Sequence, residues 1–250
     1  MPEDDKQFDE IDPTELDPNV TIYQHEARQT GFEPVTGDGE AIEAITAHIE
    51  AYLGPIDNVL HELVSDLVHI DIHHIAPRPG RLYHTLVTSG MSDRPMTVPP
   101  GAEKFRYAEV LLTLPHTWKL SEAAFRDEAN YWPVRLLKTL ARFPHEYQTW
   151  LGLGHTLPNL NPMEPYAANT KLCCALLAPS DMAGDEFSEL TVSPEKTILF
   201  YNVWPLYAEE MNFKLKNGLE AMGARFEKNK ITEIIDPQRK NVCKSSLWPF

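Results

Sequence analysis

His69, Asp71 and His73 occupy alternate positions in the run Val68–Ile75. If that run is a strand, all three project from one face. Imidazole and carboxylate together suit Zn, Fe or Mn, so a metal-dependent enzyme built on this cluster is one reading. His74 faces the other way, and His84 on the next apolar run can join either set. No His-Glu-x-x-His helix and no second ligand set accompany the cluster. A polar strand face carrying ordinary histidines explains the same pattern. Nucleophile and cofactor motifs are missing elsewhere. Ser89-Gly90 lacks the second glycine of a nucleophile elbow, and neither a phosphate loop nor a dinucleotide fingerprint is present. Gly152-Leu153-Gly154 leads into His155 and a Pro/Asn-rich stretch, not a helix. No catalytic residue, no metal and no cofactor is assigned.

The elements that must position these side chains are legible as patterns. Asp38 precedes Ile42, Ile45, Ile49, Tyr52 and Leu53, which share a helical face until Gly54-Pro55 stops it. Val68–Ile75 alternates as a strand with one face buried, turns at Pro77-Arg78-Pro79-Gly80, and returns from Leu82 to Val87 as a hairpin. Residues 89–101 read as a polar loop, and Phe105–Leu114 as a strand. Pro133 is placed to open a helix that Pro144 ends. Leu172–Ala178 and Thr197–Val203 are continuous apolar runs of the kind that form strands covered on both faces. Cys173 and Cys174 then point to opposite faces, and Cys243 stands alone. Pro205 is placed to open a third helix with Glu209 and Glu210 in its first turns. Its apolar stripe is Met211, Leu215, Leu219 and Met222, with Gly218 and Gly223 against its continuity. The fold expected is mixed α+β (α/β): one domain, a mixed β-sheet flanked by helices.

Of 250 residues, 42% are hydrophobic and 24% charged, and no apolar run is long enough to span a membrane. Three cysteines without metal-type spacing fit reduced thiols and a cytoplasmic location. The net charge is −15. Eight acids (Glu3, Asp4, Asp5, Asp9, Glu10, Asp12, Glu15, Asp17) face Lys6 alone within residues 1–20. Such a surface disfavours nucleic acid, which needs surplus Lys and Arg. The chain divides into an acidic tail or arm (1–35), a folded domain (36–240) and a C-terminal tail (241–250).

Several segments, in order, resemble the Suppressor of fused family, specifically its N-terminal domain. They are HIDIHHIAPRPGR followed by His84-Thr85-Leu86-Val87-Thr88-Ser89-Gly90-Met91-Ser92-Asp93, then Phe105–Leu114. Next come Trp132-Pro133 leading to Leu140-Ala141-Arg142-Phe143, and Gly154-His155. The last are Ile198-Leu199-Phe200, Glu209-Glu210 and Asn217-Gly218-Leu219-Glu220. The resemblance covers roughly residues 40–235. It implies a mixed α/β domain with no established catalytic activity, whose eukaryotic relatives clamp an extended peptide of a transcription factor between this domain and a second one. A chain of this length leaves no room for the second domain, so it is similar to the free-standing bacterial form. That form includes immunity proteins that neutralise toxins.

The function expected is therefore direct binding of another protein, such as a basic toxin domain, with a housekeeping interaction protein and the metal-dependent enzyme as alternatives. Contacts are expected from the loop Ser89, Met91, Ser92, Asp93, Arg94 and Met96. The hairpin residues His69, Asp71, His73, Arg78, Arg81 and His84, together with Trp150 and His155, complete the set, because loops carry function more often than cores.

Overall fold

The computed structural model describes residues 16–244, apart from Asn19, Ala27, Thr30, Thr36 and Leu63. The acidic run up to Glu15 and the last six residues lie outside the described residues. Eight strands form one sheet: β1 (Asn58–Leu60), β2 (Asp71–Ile75), β3 (Tyr83–Ser89), β4 (Ala108–Pro115), β5 (Thr156–Pro158), β6 (Cys174–Ala178), β7 (Glu189–Ser193) and β8 (Lys196–Leu206). Their order is β1-β2-β3-β4-β8-β6-β5, with β7 also on β8. The pair β4–β8 is parallel and the other pairs are antiparallel, which makes the sheet mixed. Three helices cover it: α1 (Gly39–Tyr52), α2 (Glu128–Glu146) and α3 (Ala208–Asn229).

Each helix buries its own cluster. Trp132, Leu137 and Leu140 of α2 meet Ile72, Leu86, Val110 and Leu112 of the sheet. Ile45 and Ile49 of α1 meet Ile75, Val87, Leu111 and Phe187. Met211, Leu215, Met222 and Phe226 of α3 meet Leu176 and Leu206. The Asp38 carboxylate caps α1 by accepting from the Ala41 N–H, as the sequence predicts. Tyr52, expected on the buried face of α1, is exposed, and His48 is buried instead.

Several boundaries differ from the sequence reading, each for a local reason. Asp127, not Pro133, starts α2, accepting from the Ala129 N–H. Pro133 and Pro144 both lie inside the helix. Proline at 133 leaves the Ala129 carbonyl without its helical partner, and the Asn169 side-chain amide donates to that carbonyl at 3.2 Å. Pro205 belongs to β8, where it faces Ala175; the helix begins after Tyr207. Among the described residues no strand pairs with that end of β8 on the β4 side, because the β4–β8 ladder ends at Leu111 and Asn202 and β4 then turns to Ile234, so a missing N–H costs little there. Both sides of β2 are covered, leaving only His74 half-buried. Residues Glu103–Phe105 form a 3₁₀ turn before β4. Cys173 lies just outside β6, so its thiol sits 3.8 Å from that of Cys174 and not on the opposite face. Gly218 breaks α3 with φ 86° and ψ 172°.

Candidate functional site

The polar cluster on β2 splits between the two faces of the sheet. Asp71 is buried; its carboxylate meets His61 Nδ1 at 3.0 Å and His69 Nε2 at 3.1 Å. The Glu62 N–H also donates to it, at 3.3 Å. His69 Nδ1 lies 2.8 Å from Ser65 Oγ. Serine, imidazole and carboxylate thus follow one another as in a nucleophile relay, but Ser65 is buried, which keeps a substrate from its hydroxyl. His73 is buried with Nε2 on Ser89 Oγ at 2.9 Å, and burial pushes its pKa down. On the other face, His74 Nε2 meets His84 Nδ1 at 2.8 Å; burial lowers both pKa values, and the neighbouring imidazole lowers that of His74 further. His73 Nδ1 is buried without a hydrogen-bond partner, and among the described residues no three His, Cys, Asp or Glu groups converge on a metal-sized point.

The Arg78 side chain is committed to the end of α1 and that of Arg81 to its own hairpin. Arg78 donates to the Leu53 carbonyl at the end of α1. Its guanidinium fills the space beside Gly54, where φ is +101° and a Cβ would lie 1.8 Å from Nη1. Arg81 donates to Thr85 Oγ1 and the Tyr83 carbonyl and lies over the Tyr83 ring.

The loop after β3 folds inward. Ser89, Met91 and Ser92 are fully buried and Met96 nearly so, so these expected contact side chains are enclosed. The cause is Glu109, a carboxylate at 0% exposure on β4. It accepts from the Thr88 hydroxyl at 2.6 Å, the Gly90 N–H at 3.0 Å, the Ser92 N–H at 2.9 Å and the Ser92 hydroxyl at 2.6 Å. Four donors favour the anion, yet burial outweighs them and raises its pKa to about 7. Gly90 (φ +108°) passes so close to the β2 side that a Cβ would lie 1.7 Å from the His69 carbonyl oxygen. Asp93 accepts from the Asp38 N–H at 3.1 Å, and Arg94 pairs with Glu33 at 2.6 Å. The signal that could have revealed this network is a lone Glu inside the apolar run Ala108–Leu114.

Trp150 and His155 have a different setting. Their rings meet edge-on at 4.4 Å, and both line a groove of about 2110 Å³ between α2, β5 and α3. Burial and the nearby Lys214 lower the His155 pKa. The rim is apolar. Among the described residues eight large hydrophobic side chains stand exposed, and four of them, Ile22, Tyr23, Leu153 and Leu160, border this groove. Strand β5 forms one wall and ends the sheet. Its pairing with β6 uses the His155 carbonyl and the Asn159 N–H. By antiparallel alternation the Thr156 N–H and C=O point outward into the groove. The sequence reading missed β5 and the leucines of the rim, which look like ordinary loop residues without the sheet order.

The family profile described as Suppressor of fused protein (SUFU) matches residues 66–240, more than half of the chain. No match is found among curated proteins. Among solved structures, the chain is similar to a SUFU homologue from Neisseria gonorrhoeae, with 14% identity and a TM-score of 0.63 over 84% of this chain and 100% of the other. A structure described as the Sufu-Fu complex gives 14% identity and a TM-score of 0.57 over 81% and 92%. Drosophila Suppressor of Fused gives 14% and 0.56 over 81% of this chain and 51% of that one. At this identity the likeness concerns the fold.

Proposed function

The chain belongs to the Suppressor of fused family, and from that premise we propose that it is a protein-binding module that holds an extended segment of another protein in the groove beside β5. The observation that carries this is the gathering of Ile22, Tyr23, Leu153 and Leu160 at one groove bordered by a free strand edge. Apolar surface rimming a concave site marks an interaction surface. An open edge accepts an extended partner through main-chain hydrogen bonds, with side-chain pockets adding selectivity. Trp150 and His155 are the partner contacts of the expected set that line this groove.

In its finer form the partner is a basic toxin domain and the chain an immunity protein. The net charge of −15 supports this by steering a basic partner towards the chain. Capture with the full chain as bait, followed by mass spectrometry, identifies the partner. The variant Leu153→Ser/Leu160→Asp changes only exposed side chains. It is expected to weaken that partner by about tenfold or more at unchanged thermal stability. Undiminished affinity would remove the groove from the account. A partner that is not toxin-like, with no toxin gene beside this chain's own, would leave a housekeeping interaction protein.

A further inference from the structure

The described part of the N-terminal arm runs along the same groove, and its two ends are fixed differently from its middle. At one end, the break at Gly218 interrupts the helical pairing of α3 around the Leu215 carbonyl. The Asp17 N–H donates to that carbonyl at 2.9 Å, and Leu16 and Val20 pack on the α3 cluster. The Asp17 carboxylate attracts Lys214, a groove residue only 8% exposed. At the other end, Arg28 pairs with Asp66, the Glu33 N–H donates to Asp66 at 2.8 Å, and Pro34 bridges to Asp66.

Between these anchors the described residues 20–26 have no regular secondary structure, and residues 21–26 are exposed. No main-chain hydrogen bond ties Thr21–Glu26 to the described residues. One side-chain contact interrupts the span: the His25 ring packs on Phe143 and Tyr147 at 5.3 and 5.6 Å. Ile22 and Tyr23 are 53% and 57% exposed on the groove rim. An extended backbone tethered at both ends and unpaired between them carries unused donors and acceptors. So does the outer edge of β5 in the same groove.

We propose that residues 20–26 form a strap that closes over the segment bound in the groove and pairs with it by main-chain hydrogen bonds. This rests on the reading of the groove as a segment-binding site. The occupant it fits is an extended partner segment with apolar side chains at alternate positions. Those side chains meet Leu153, Leu160 and Trp150 on one side and Ile22 and Tyr23 on the other. Because Asp17 already balances Lys214, the segment needs no carboxylate of its own there.

The test uses the full chain and a phage-displayed library of random dodecapeptides. Selected peptides are expected to alternate apolar residues, and their binding is expected to slow amide exchange at residues 21–26 together with that at 156–159. Ile22→Pro and Tyr23→Pro each delete one strap amide. Consecutive strand amides point to opposite sides, so one variant is expected to lose about tenfold in peptide affinity, while Ile22→Ala and Tyr23→Ala keep the amides as controls. Slowed exchange at 156–159 alone, or full affinity in both proline variants, overturns the strap and leaves the groove reading standing. Failure to enrich any peptide overturns the groove reading, and the strap with it. Concentration-dependent dimers that protect residues 21–26 without peptide would assign the groove to arms exchanged between copies and overturn a separate partner.

Discussion

Glu109→Gln should flatten a large part of the pH dependence of stability. The carboxylate is fully enclosed, and its pKa stands at about 7 against an ordinary 4.5. A raised folded-state pKa means that the native state binds the proton more tightly than the unfolded chain. Stability from this group is complete below pH 4.5, is lost as pH rises towards 7, and levels off above that. The interval corresponds to about 3 kcal/mol, a substantial fraction of a typical domain's stability. Glutamine fits the site without a titrating proton. Its Oε1 can accept from the Gly90 N–H and both Ser92 donors, all of which reach Glu109 Oε1. Its amide can donate to the Thr88 hydroxyl, which then turns to the Val110 carbonyl 3.1 Å away. Urea denaturation followed by tryptophan fluorescence, at intervals from pH 4 to 8.5, gives both curves. Histidines such as His73 and His145, whose pKa values burial lowers, titrate in both proteins and cancel in the difference. Wild type minus variant should fall by about 3 kcal/mol across the window. A difference curve that is flat, or that rises with pH, would refute the claim that burial outweighs the four donors.

Two further outcomes follow from the same geometry. Gly90→Ala combines a left-handed φ of +108° with a Cβ 1.7 Å from the His69 carbonyl oxygen; it should cost about 3 kcal/mol or more, read as a lowered urea midpoint at unchanged slope. Cys173 and Cys174 are buried while Cys243 is half-exposed, so Ellman's reagent should modify at most one thiol before unfolding. Rapid reaction of two or three thiols would contradict the packing around β6.

Periodicity was a good guide where one face of an element is apolar and the other wet. The stripe of Ile45 and Ile49 on α1 follows from it, whereas the Asp38 cap, the turn around Pro77–Gly80 and the acids Glu209 and Glu210 in the first turn of α3 follow from residue type. It failed at the prolines, whose cost depends on a distant partner. Asn169 compensates Pro133 from outside α2, and the free side of β8 tolerates Pro205. The three-residue strands β1 and β5 are too short to show a period. The site was harder to read for the same reason. A groove is a product of sheet order, and Leu153 and Leu160 acquire meaning only because β5 ends the sheet beside them.

The histidine strand and the loop after it attract attention in the sequence because they are polar, yet polarity inside a two-sided sheet demands partners. Asp71 answers His61 and His69, Ser89 answers His73, and Glu109 answers Thr88, Gly90 and Ser92. Bringing Met91 or Ser92 to a partner would strip donors from the buried carboxyl of Glu109, and each buried polar group left unpaired costs about 1–3 kcal/mol. That penalty holds the loop closed. The polar residues therefore fix the sheet's geometry, while the proposed binding groove needs a face where apolar side chains stay wet and a strand edge stays unpaired. On this chain those two conditions meet at β5.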